Sequence, residues 1–225
     1  ILLAARPGMG KSSFAMNIAL NVARRYPEKS VVMFSLEMSN EQLVSRAMAS
    51  EARIDSNKLR IGRLNADEWV QLASCADILS RMNFYFSDAA GVTVNDIKAK
   101  LMRLKDVGLV IIDYLQLMSS GRRTENRVQE ISQMTRNLKI MAKELDVPVI
   151  LLSQLSRAAE QRQGHKPMLS DLRDSGSIEQ DADIVLFLYR DTYYKDGESS
   201  AEEAADPADA QCIIAKNRHG STREL

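Results

Sequence analysis

Short apolar runs alternate with longer helical patterns along this chain, and this alternation is typical of a parallel β-sheet covered by helices. Several of the runs are apolar nearly throughout, as expected for strands that are buried on both faces of a sheet. We therefore predict an α/β fold in which helices flank a mostly parallel central sheet. The predicted strands span residues 2–5, 30–35, 83–86, 109–113, 147–153, 184–189 and 211–216.

Helix starts are marked by capping sequences, in which a polar side chain accepts a bond from a backbone N–H three residues later. The tetrapeptides 39–42 and 65–68 have this pattern and predict helices that end near Ser50 and Met82. A helical pattern also covers residues 12–24. A long helix is predicted by one apolar stripe with steps of three or four residues: Val128, Ile131, Met134, Leu138, Met141 and Leu145.

Composition excludes several classes of protein. The longest strongly apolar run, 184–189, has six residues, whereas a membrane-spanning helix needs roughly 20. Cys75 and Cys212 form no CxxC pair, which argues against a disulfide framework or a zinc site. His165 and His219 have no partner at ligand spacing. The charges of the 30 basic and 30 acidic residues cancel, so the chain as a whole is not a basic nucleic-acid-binding protein. The net charge does not exclude a local positive groove, because it says nothing about how the charges are distributed.

The domain organisation follows from length and from one unusual segment. At about 150 residues per domain, a chain of 225 residues is one large domain or at most two small ones, and we predict a single domain over residues 1–225. Residues 191–210 carry seven acidic side chains and one lysine, and we predict a mobile acidic insertion between two strands. The chain begins within an expected strand and has no initiator methionine, so we expect a fragment of a longer polypeptide.

Residues 5–12 fit the phosphate-loop pattern GxxxxGK[ST], except that Ala5 replaces the first glycine. Gly8 and Gly10 would let backbone N–H groups turn toward phosphate oxygens at the start of a helix. Lys11 would reach the β- and γ-phosphates, and the Ser12 hydroxyl would bind Mg²⁺. The alternative is a glycine-containing turn with an incidental lysine, but the position between a strand and a helix favours a nucleotide. The predicted contacts are Arg6, Pro7, Gly8, Met9, Gly10, Lys11, Ser12 and Ser13.

Polar residues follow three of the predicted strands, where ligands bind in open α/β sheets. Asp113 suits the carboxylate that holds Mg²⁺ opposite Ser12, although a strand-ending turn could also use an aspartate. Glu37 is the candidate for activating the attacking water, because it precedes the capping sequence and is not needed as a cap. Gln154 can donate and accept, so it could sense the γ-phosphate or merely bond to a loop backbone.

Lys216 and Arg218 lie two residues apart at the end of the last predicted strand, so both would project from one face. Charges on an edge strand can simply prevent aggregation. An arginine can also complete the active site of a neighbouring subunit, an arrangement worth about 10³–10⁵ in rate in phosphoryl transfer. The pattern by itself does not choose between the two roles.

Taken together and in this order, these motifs resemble the C-terminal motor domain of replicative DNA helicases of the DnaB family, within the RecA-like ATPases. The matching phrases are ARPGMGKS, FSLEMS, VIIDYLQL, LLSQLSR, DLRDSGSIEQDAD and IIAKNRHG, and they span nearly the whole chain. The alanine at position 5 is common within that family.

The resemblance implies a RecA-like phosphate-loop fold and a homohexameric ring that hydrolyses ATP with Mg²⁺ at subunit interfaces. It implies catalytic roles for Lys11, Glu37 and Gln154, and it makes Lys216 and Arg218 the basic pair that acts on a neighbour. Single-stranded DNA would pass through the ring, in the bacterial cytoplasm at the replication fork. Primase and a helicase loader are the other implied partners, mainly through an N-terminal helical domain and linker that are absent here.

Arg173, Asp174 and Gly176 match the DNA loop that faces the central pore in this family. From the residues themselves, an arginine can pair with a phosphate and a glycine allows close approach of the backbone. Arg122 and Arg123 could add charge to the pore, but the resemblance assigns them no role. Aromatic residues make up only 5% of the chain, so we expect DNA to be held mainly by its backbone, with strong salt dependence.

Two other functions share many of these features. A RecA-like recombinase has the same fold, phosphate loop and subunit interface, but it exchanges strands and does not unwind a forked duplex. A nucleotide-controlled assembly switch or loader is a different class of protein, and DNA would not accelerate its ATP hydrolysis.

Overall fold

One eight-stranded sheet organises the chain in the computed structural model, which describes residues 1–118, 127–162, 164–175, 178–190 and 210–225. The strand order across the sheet is β3-β2-β4-β5-β1-β6-β7-β8. The first six strands in this order run parallel to one another. β7 runs antiparallel to β6, and β8 runs antiparallel to β7. The strands are β1 (Leu2–Ala5), β2 (Ser30–Ser35), β3 (Phe84–Ser87), β4 (Val107–Asp113), β5 (Val149–Gln154), β6 (Ile184–Arg190), β7 (Ala210–Asn217) and β8 (Arg223–Glu224).

Helices cover both faces of this sheet. They are α1 (Lys11–Arg25), α2 (Asn40–Ala52), α3 (Ser56–Ile61), α4 (Ala66–Ser80), α5 (Val94–Leu101), α6 (Arg127–Glu144) and α7 (Ile178–Asp181). Short 3₁₀ turns span Leu115–Leu117, Arg157–Gln161 and Leu169–Ser175. The predicted α/β class, with a mostly parallel sheet between helices, is confirmed.

The two faces of the sheet bury two separate cores, because successive side chains of a strand point to opposite sides. On one face, Val110 and Ile112 of β4 pack with α5 and α6 residues such as Ile97 and Met134. On the other face, strand residues pack against the buried stripe of α1 and against Leu43 of α2. Burial on both sides explains why the strands read as continuous apolar runs.

The predicted strands are all present, with ends that differ by at most two residues, and the capping sequences begin α2 and α4 as expected. Three short helices were missed: α3, α5 and the four-residue α7. α3 is capped by Asp55, and α5 begins with a capping box between Thr93 and Asp96. β7 is not the outermost strand as expected, because β8 pairs with it at Ile213 and Ile214.

The acidic segment joins two antiparallel neighbours, since Arg190 at the end of β6 faces Ala210 at the start of β7. A connection between two strands was predicted for it. Residues 191–209 themselves lie outside the described residues, so the predicted mobility stays a prediction. Within the described ranges, no helix combines the length and the apolar character that crossing a membrane requires.

Candidate active site

The phosphate-loop residues lie between β1 and α1, at the carboxyl edge of the central strand. Gly8 and Gly10 have φ values of 79° and 83°, a backbone region that other residues rarely adopt. Gly10 precedes α1 directly, and no side chain caps this helix start. The first turn of α1 also lacks acidic residues. The exposed N–H groups and the helix dipole therefore favour an anion at this position.

A cavity of about 650 Å³ opens above this loop. Seven of the eight predicted nucleotide contacts line it, together with Glu37 and Gln154. Met9 is the exception, because its side chain is only 4% exposed and packs in the core beside α1. Its backbone N–H donates to the Arg6 carbonyl at 3.4 Å. The side chain of Met9 therefore holds the loop onto the sheet and faces away from the cavity.

Asp113 and Ser12 meet although they are 101 residues apart in sequence. The Ser12 hydroxyl donates to Asp113 Oδ2 at 2.5 Å. Asp113 is fully buried, and its Oδ1 has no hydrogen-bond partner. Hydroxyl and carboxylate oxygens are the ligands that Mg²⁺ prefers, and a buried carboxylate oxygen without a partner is ready to bind a cation or its water. The residues present therefore fit a magnesium ion.

Lys11 lies beside the same carboxylate, with its Nζ 3.8 Å from Asp113 Oδ1. Burial lowers the pKa of Lys11, while the charges of Asp113 and Glu37 raise it in partial compensation. The ammonium also lies 4.6 Å from the centre of the Tyr114 ring, a cation–π distance. A poorly solvated cation fixed at the end of a phosphate loop gains favourable interactions from a phosphate.

The carboxyl ends of β2, β4 and β5 bring the predicted polar residues to one edge. The Leu36 N–H donates to the Asp113 carbonyl at 2.6 Å and so fastens the end of β2 to the end of β4. Glu37 comes next and is exposed at the wall of the cavity. Gln154 pairs with Ala5 across β5 and β1. Glu37 and Gln154 thus line the cavity from different strands.

Sequence reasoning missed two residues at this edge. Arg46 of α2 lines the cavity and adds a third positive charge to those of Arg6 and Lys11. Gln116 donates to Ser153 Oγ at 3.0 Å and accepts from the Gln154 N–H at 3.5 Å, so it bridges the ends of β4 and β5. Arg46 could have been found from the sequence, because it lies on the helix that directly follows Glu37. No local sequence pattern identifies Gln116.

Arg6 connects the phosphate loop to the chain that follows β5. Its Nε donates to Glu160 at 2.8 Å, and its Nη1 donates to the Leu155 carbonyl at 2.7 Å. Arg6 lines the cavity as predicted, but its guanidinium is already engaged on one side. These bonds therefore link the phosphate loop to the segment after Gln154.

Lys216 and Arg218 lie at the opposite edge of the sheet. Asn217, between them, pairs with Ile184, the first residue of β6, so both lie at the amino edge of the parallel strands. The length of β1 separates this edge from the phosphate loop by about 13 Å at 3.3 Å per residue. Neither residue lines the cavity. The basic pair therefore cannot serve the site of its own subunit.

Two of the three residues of the expected DNA loop lie in the second 3₁₀ turn after β5. Arg173 and Asp174 belong to the turn Leu169–Ser175, and Gly176 lies outside the described residues. Arg122 and Arg123 also lie outside them. Asp171, at 2% exposure, anchors this turn by accepting two bonds from Arg162, at 2.8 and 3.1 Å.

The family model of the DnaB-like helicase C-terminal domain matches residues 1–225. The chain belongs to this family. It is 51% identical to the replicative DNA helicase DnaB of Geobacillus stearothermophilus and 50% identical to the replicative DNA helicase DnaC of Bacillus subtilis. Each match covers 98% of this chain and 48% of the relative, so the chain spans about half the length of these relatives.

Solved structures show the same family fold. One solved ATPase domain superposes with a TM-score of 0.90 at 41% identity, and the match covers all of this chain and 78% of that one. A DnaB-like replicative helicase, solved for its interactions with primase, gives the same score and identity over 53% of its chain. The RecA-like core and the family resemblance inferred from sequence are confirmed.

Proposed function

We propose that residues 1–225 are one ATPase domain, the motor of a replicative DNA helicase that hydrolyses ATP at subunit interfaces, translocates on single-stranded DNA and unwinds duplex DNA. Family membership and the names of the relatives support this function. One observation carries the subunit arrangement. A complete phosphate site occupies one edge of the sheet, and a basic pair that cannot reach it occupies the other.

The residues of the cavity take distinct roles in this proposal. The N–H groups of the loop and Lys11 bind the β- and γ-phosphates, which offsets the burial of the lysine charge. Glu37 takes the proton of the attacking water, because its carboxylate is exposed to the cavity and free of the adjacent helix cap. Gln154 contacts the γ-phosphate and passes its loss to the segment that begins at Leu155.

Magnesium is the proposed metal cofactor, and Ser12 and Asp113 are the residues that would hold it. Bound Mg²⁺ supplies charge neutralisation for the phosphate oxygens. The chain's own contribution is a rigid pair of oxygen donors on two different elements, one at the start of α1 and one at the end of β4. Asp113 keeps this position because it is buried at the end of a buried strand.

Lys216 and Arg218 are proposed to complete the active site of the neighbouring subunit. A homohexameric ring with head-to-tail contacts places the amino edge of one sheet against the carboxyl edge of the next. Arg218 then stabilises the charge that develops on the γ-phosphate, as arginine fingers do. The homohexameric state, a loader and a location in the bacterial cytoplasm also belong to this proposal. So does primase, with which a solved DnaB-like helicase is described as interacting.

Single-stranded DNA is the proposed track, held by the segment that contains Arg173, Asp174 and Gly176. The 3₁₀ turn that carries Arg173 is tied to the chain after Gln154, because the Ser156 N–H donates to the Asp171 carbonyl at 3.0 Å. A short path therefore connects the γ-phosphate contact to the DNA segment.

Complementation between two inactive variants tests this arrangement. The complete polypeptide is prepared as Glu37→Gln and as Arg218→Ala, and ATP hydrolysis is measured with and without single-stranded DNA. We expect each variant to be nearly inactive. A mixture should regain activity, because about a quarter of the interfaces in randomly assembled rings combine an intact Glu37 with an intact Arg218. Arg81→Ala, which removes an exposed arginine of a surface ion pair, is the matched control.

Three outcomes would count against the proposal. No recovery on mixing would place Glu37 and Arg218 in the same subunit's site. Hydrolysis that ignores DNA would favour the assembly switch. Strand exchange between homologous duplexes without unwinding of a fork would favour the recombinase.

A further inference from the structure

The basic pair at the amino edge is held by one short stretch of its own chain. Lys216 Nζ donates to the Glu179 carbonyl at 2.6 Å. Arg218 Nη2 lies 3.4 Å from the Gln180 carbonyl and donates to it. Both carbonyls belong to α7, whose last-turn carbonyls lack partners within the helix. We call these two carbonyls, together with Asp183 just before β6, the cradle of the pair.

Asp183 contacts Arg218 with both its backbone and its side chain. Its backbone carbonyl accepts from the Arg218 N–H at 2.8 Å. Its carboxylate Oδ1 lies 3.3 Å from Arg218 Nη1, and its other oxygen accepts from Lys139 of α6. A single residue therefore holds Arg218 by both the backbone and the guanidinium, and is itself fixed to α6.

Stability does not explain this arrangement well. The side chain of Asp183 is 36% exposed and that of Arg218 is 50% exposed, and ion pairs at such positions contribute little to folding because solvent screens them. Orientation is a better explanation. A free arginine side chain loses rotamer freedom when it docks on a phosphate, whereas a side chain that is already oriented has less to lose. The fork of the guanidinium leaves other N–H groups free for a phosphate.

We propose that Asp183 is a positioning residue for Arg218, which it orients toward the active site of the neighbouring subunit. This inference rests on the role of Arg218 in the proposed function. In this scheme Asp183 acts through the Arg218 guanidinium, with which its carboxylate pairs, and does not itself touch the nucleotide.

A double-substitution cycle in the complete polypeptide tests the role of Asp183. Asp183→Asn keeps the size of the side chain and removes its charge. We expect kcat for DNA-stimulated ATP hydrolysis to fall about tenfold, with KM for ATP and ring assembly unchanged, because the finger acts on turnover. On an Arg218→Ala background, Asp183→Asn should change kcat by less than about twofold, since no finger is left to orient. Asp183→Glu, which keeps the carboxylate, should retain more turnover than Asp183→Asn.

Asp77→Asn is the matched control, because Asp77 forms an exposed ion pair with Arg81 on α4, away from both edges. If Asp183→Asn kept the wild-type kcat while Arg218→Ala lost turnover, the role of Asp183 would be overturned and the role of Arg218 would stand. An equal loss of kcat with and without Arg218 would also overturn it, because the effect would then be structural. Full activity of Arg218→Ala would instead overturn the finger, and this part of the proposed function with it.

Discussion

At the scale of single residues, the candidate site depends on groups that are costly to bury. Asp113 is fully buried with one oxygen that lacks a hydrogen-bond partner, and burial lowers the pKa of the nearby Lys11. Buried charges without complete partners are unfavourable in the folded state and are common at functional sites. The proposed nucleotide and metal ion would supply the missing partners to both residues.

Asp113→Asn tests the metal role. The substitution keeps the size of the side chain and removes the charge that attracts the cation, so we expect ATP hydrolysis to fall by about 10²-fold or more. The concentration of Mg²⁺ at half-maximal hydrolysis should rise. A magnesium titration of the hydrolysis rate measures both effects, with Asp77→Asn as the exposed control. An unchanged magnesium dependence would remove Asp113 from the metal site.

The pKa of Lys11 predicts how nucleotide binding responds to alkaline pH. Burial lowers this pKa from its ordinary 10.5, so the side chain loses its proton at a lower pH than an exposed lysine does. Only the charged form attracts phosphate, and affinity should therefore be flat near neutral pH and weaken as pH rises toward the lowered pKa. Equilibrium binding of a nucleotide from neutral to alkaline pH measures this.

Lys11→Arg is the control for that titration, because a guanidinium keeps its charge throughout this range. The arginine variant binds with its own affinity, but we expect that affinity to lack the alkaline decline. The same decline in both proteins would assign the pH dependence to another group.

At the scale of elements, the helices differ in how the free N–H groups at their starts are satisfied. α2, α4 and α5 begin with reciprocal capping boxes, whereas α1 begins at Gly10 without a side-chain cap. Among these four helices, the uncapped start is the one at the phosphate loop, where a ligand can satisfy the free N–H groups. We therefore expect the capped starts to serve the fold and the uncapped start to serve binding.

Asn65→Ala tests the structural type of helix start. The Asn65 side chain accepts from the Glu68 N–H at 2.8 Å, and α4 buries only Leu72. We expect the free energy of unfolding to fall by about 1 kcal/mol, with ATP hydrolysis unchanged. Urea unfolding measures the loss, and Ser74→Ala on the same helix is the control. A loss of hydrolysis without a loss of stability would contradict this assignment.

At the scale of the whole molecule, the two edges of one sheet carry the two halves of the proposed site. β1 lies at the centre, with the phosphate loop at its carboxyl end, and β7 ends at the amino edge, where the cradle holds the basic pair. One sheet therefore connects the two proposed interfaces of the ring. The proposed DNA segment is joined to the chain after β5 by the bond between Ser156 and Asp171.

Arg162→Ala tests the proposed path from the γ-phosphate contact to the DNA segment. Arg162 donates two bonds to buried Asp171, which fixes the turn that carries Arg173. Without this pair we expect the stimulation of ATP hydrolysis by single-stranded DNA to drop severalfold, while hydrolysis without DNA changes little. The ratio of the two rates measures the coupling. Lys166→Ala, in a nearby exposed ion pair with Glu224, is the control. Full DNA stimulation in Arg162→Ala would rule out this path.

Much of the fold could be predicted from short stretches of sequence. The apolar runs, the capping boxes at Ser39 and Asn65 and the glycines before Lys11 act within a few residues of chain, and they appear where they were expected. α3 and α5 were missed because helices of six and eight residues are too short to develop a clear apolar stripe. β8 was missed because a segment of two residues has no sequence pattern of its own. It is a strand only because it pairs with β7.

By itself, the sequence determined that the chain forms a parallel sheet between helices, that a phosphate loop follows the first strand, and that polar residues end three strands. Only the tertiary structure decided that Ser12 binds Asp113, that Gln116 bridges two strand ends, and that Lys216 and Arg218 lie at the far edge, where Arg218 pairs with Asp183. The physical reason is range. Periodicity and capping depend on neighbours along the chain, whereas strand order, strand direction and the contacts across them depend on how distant segments pack.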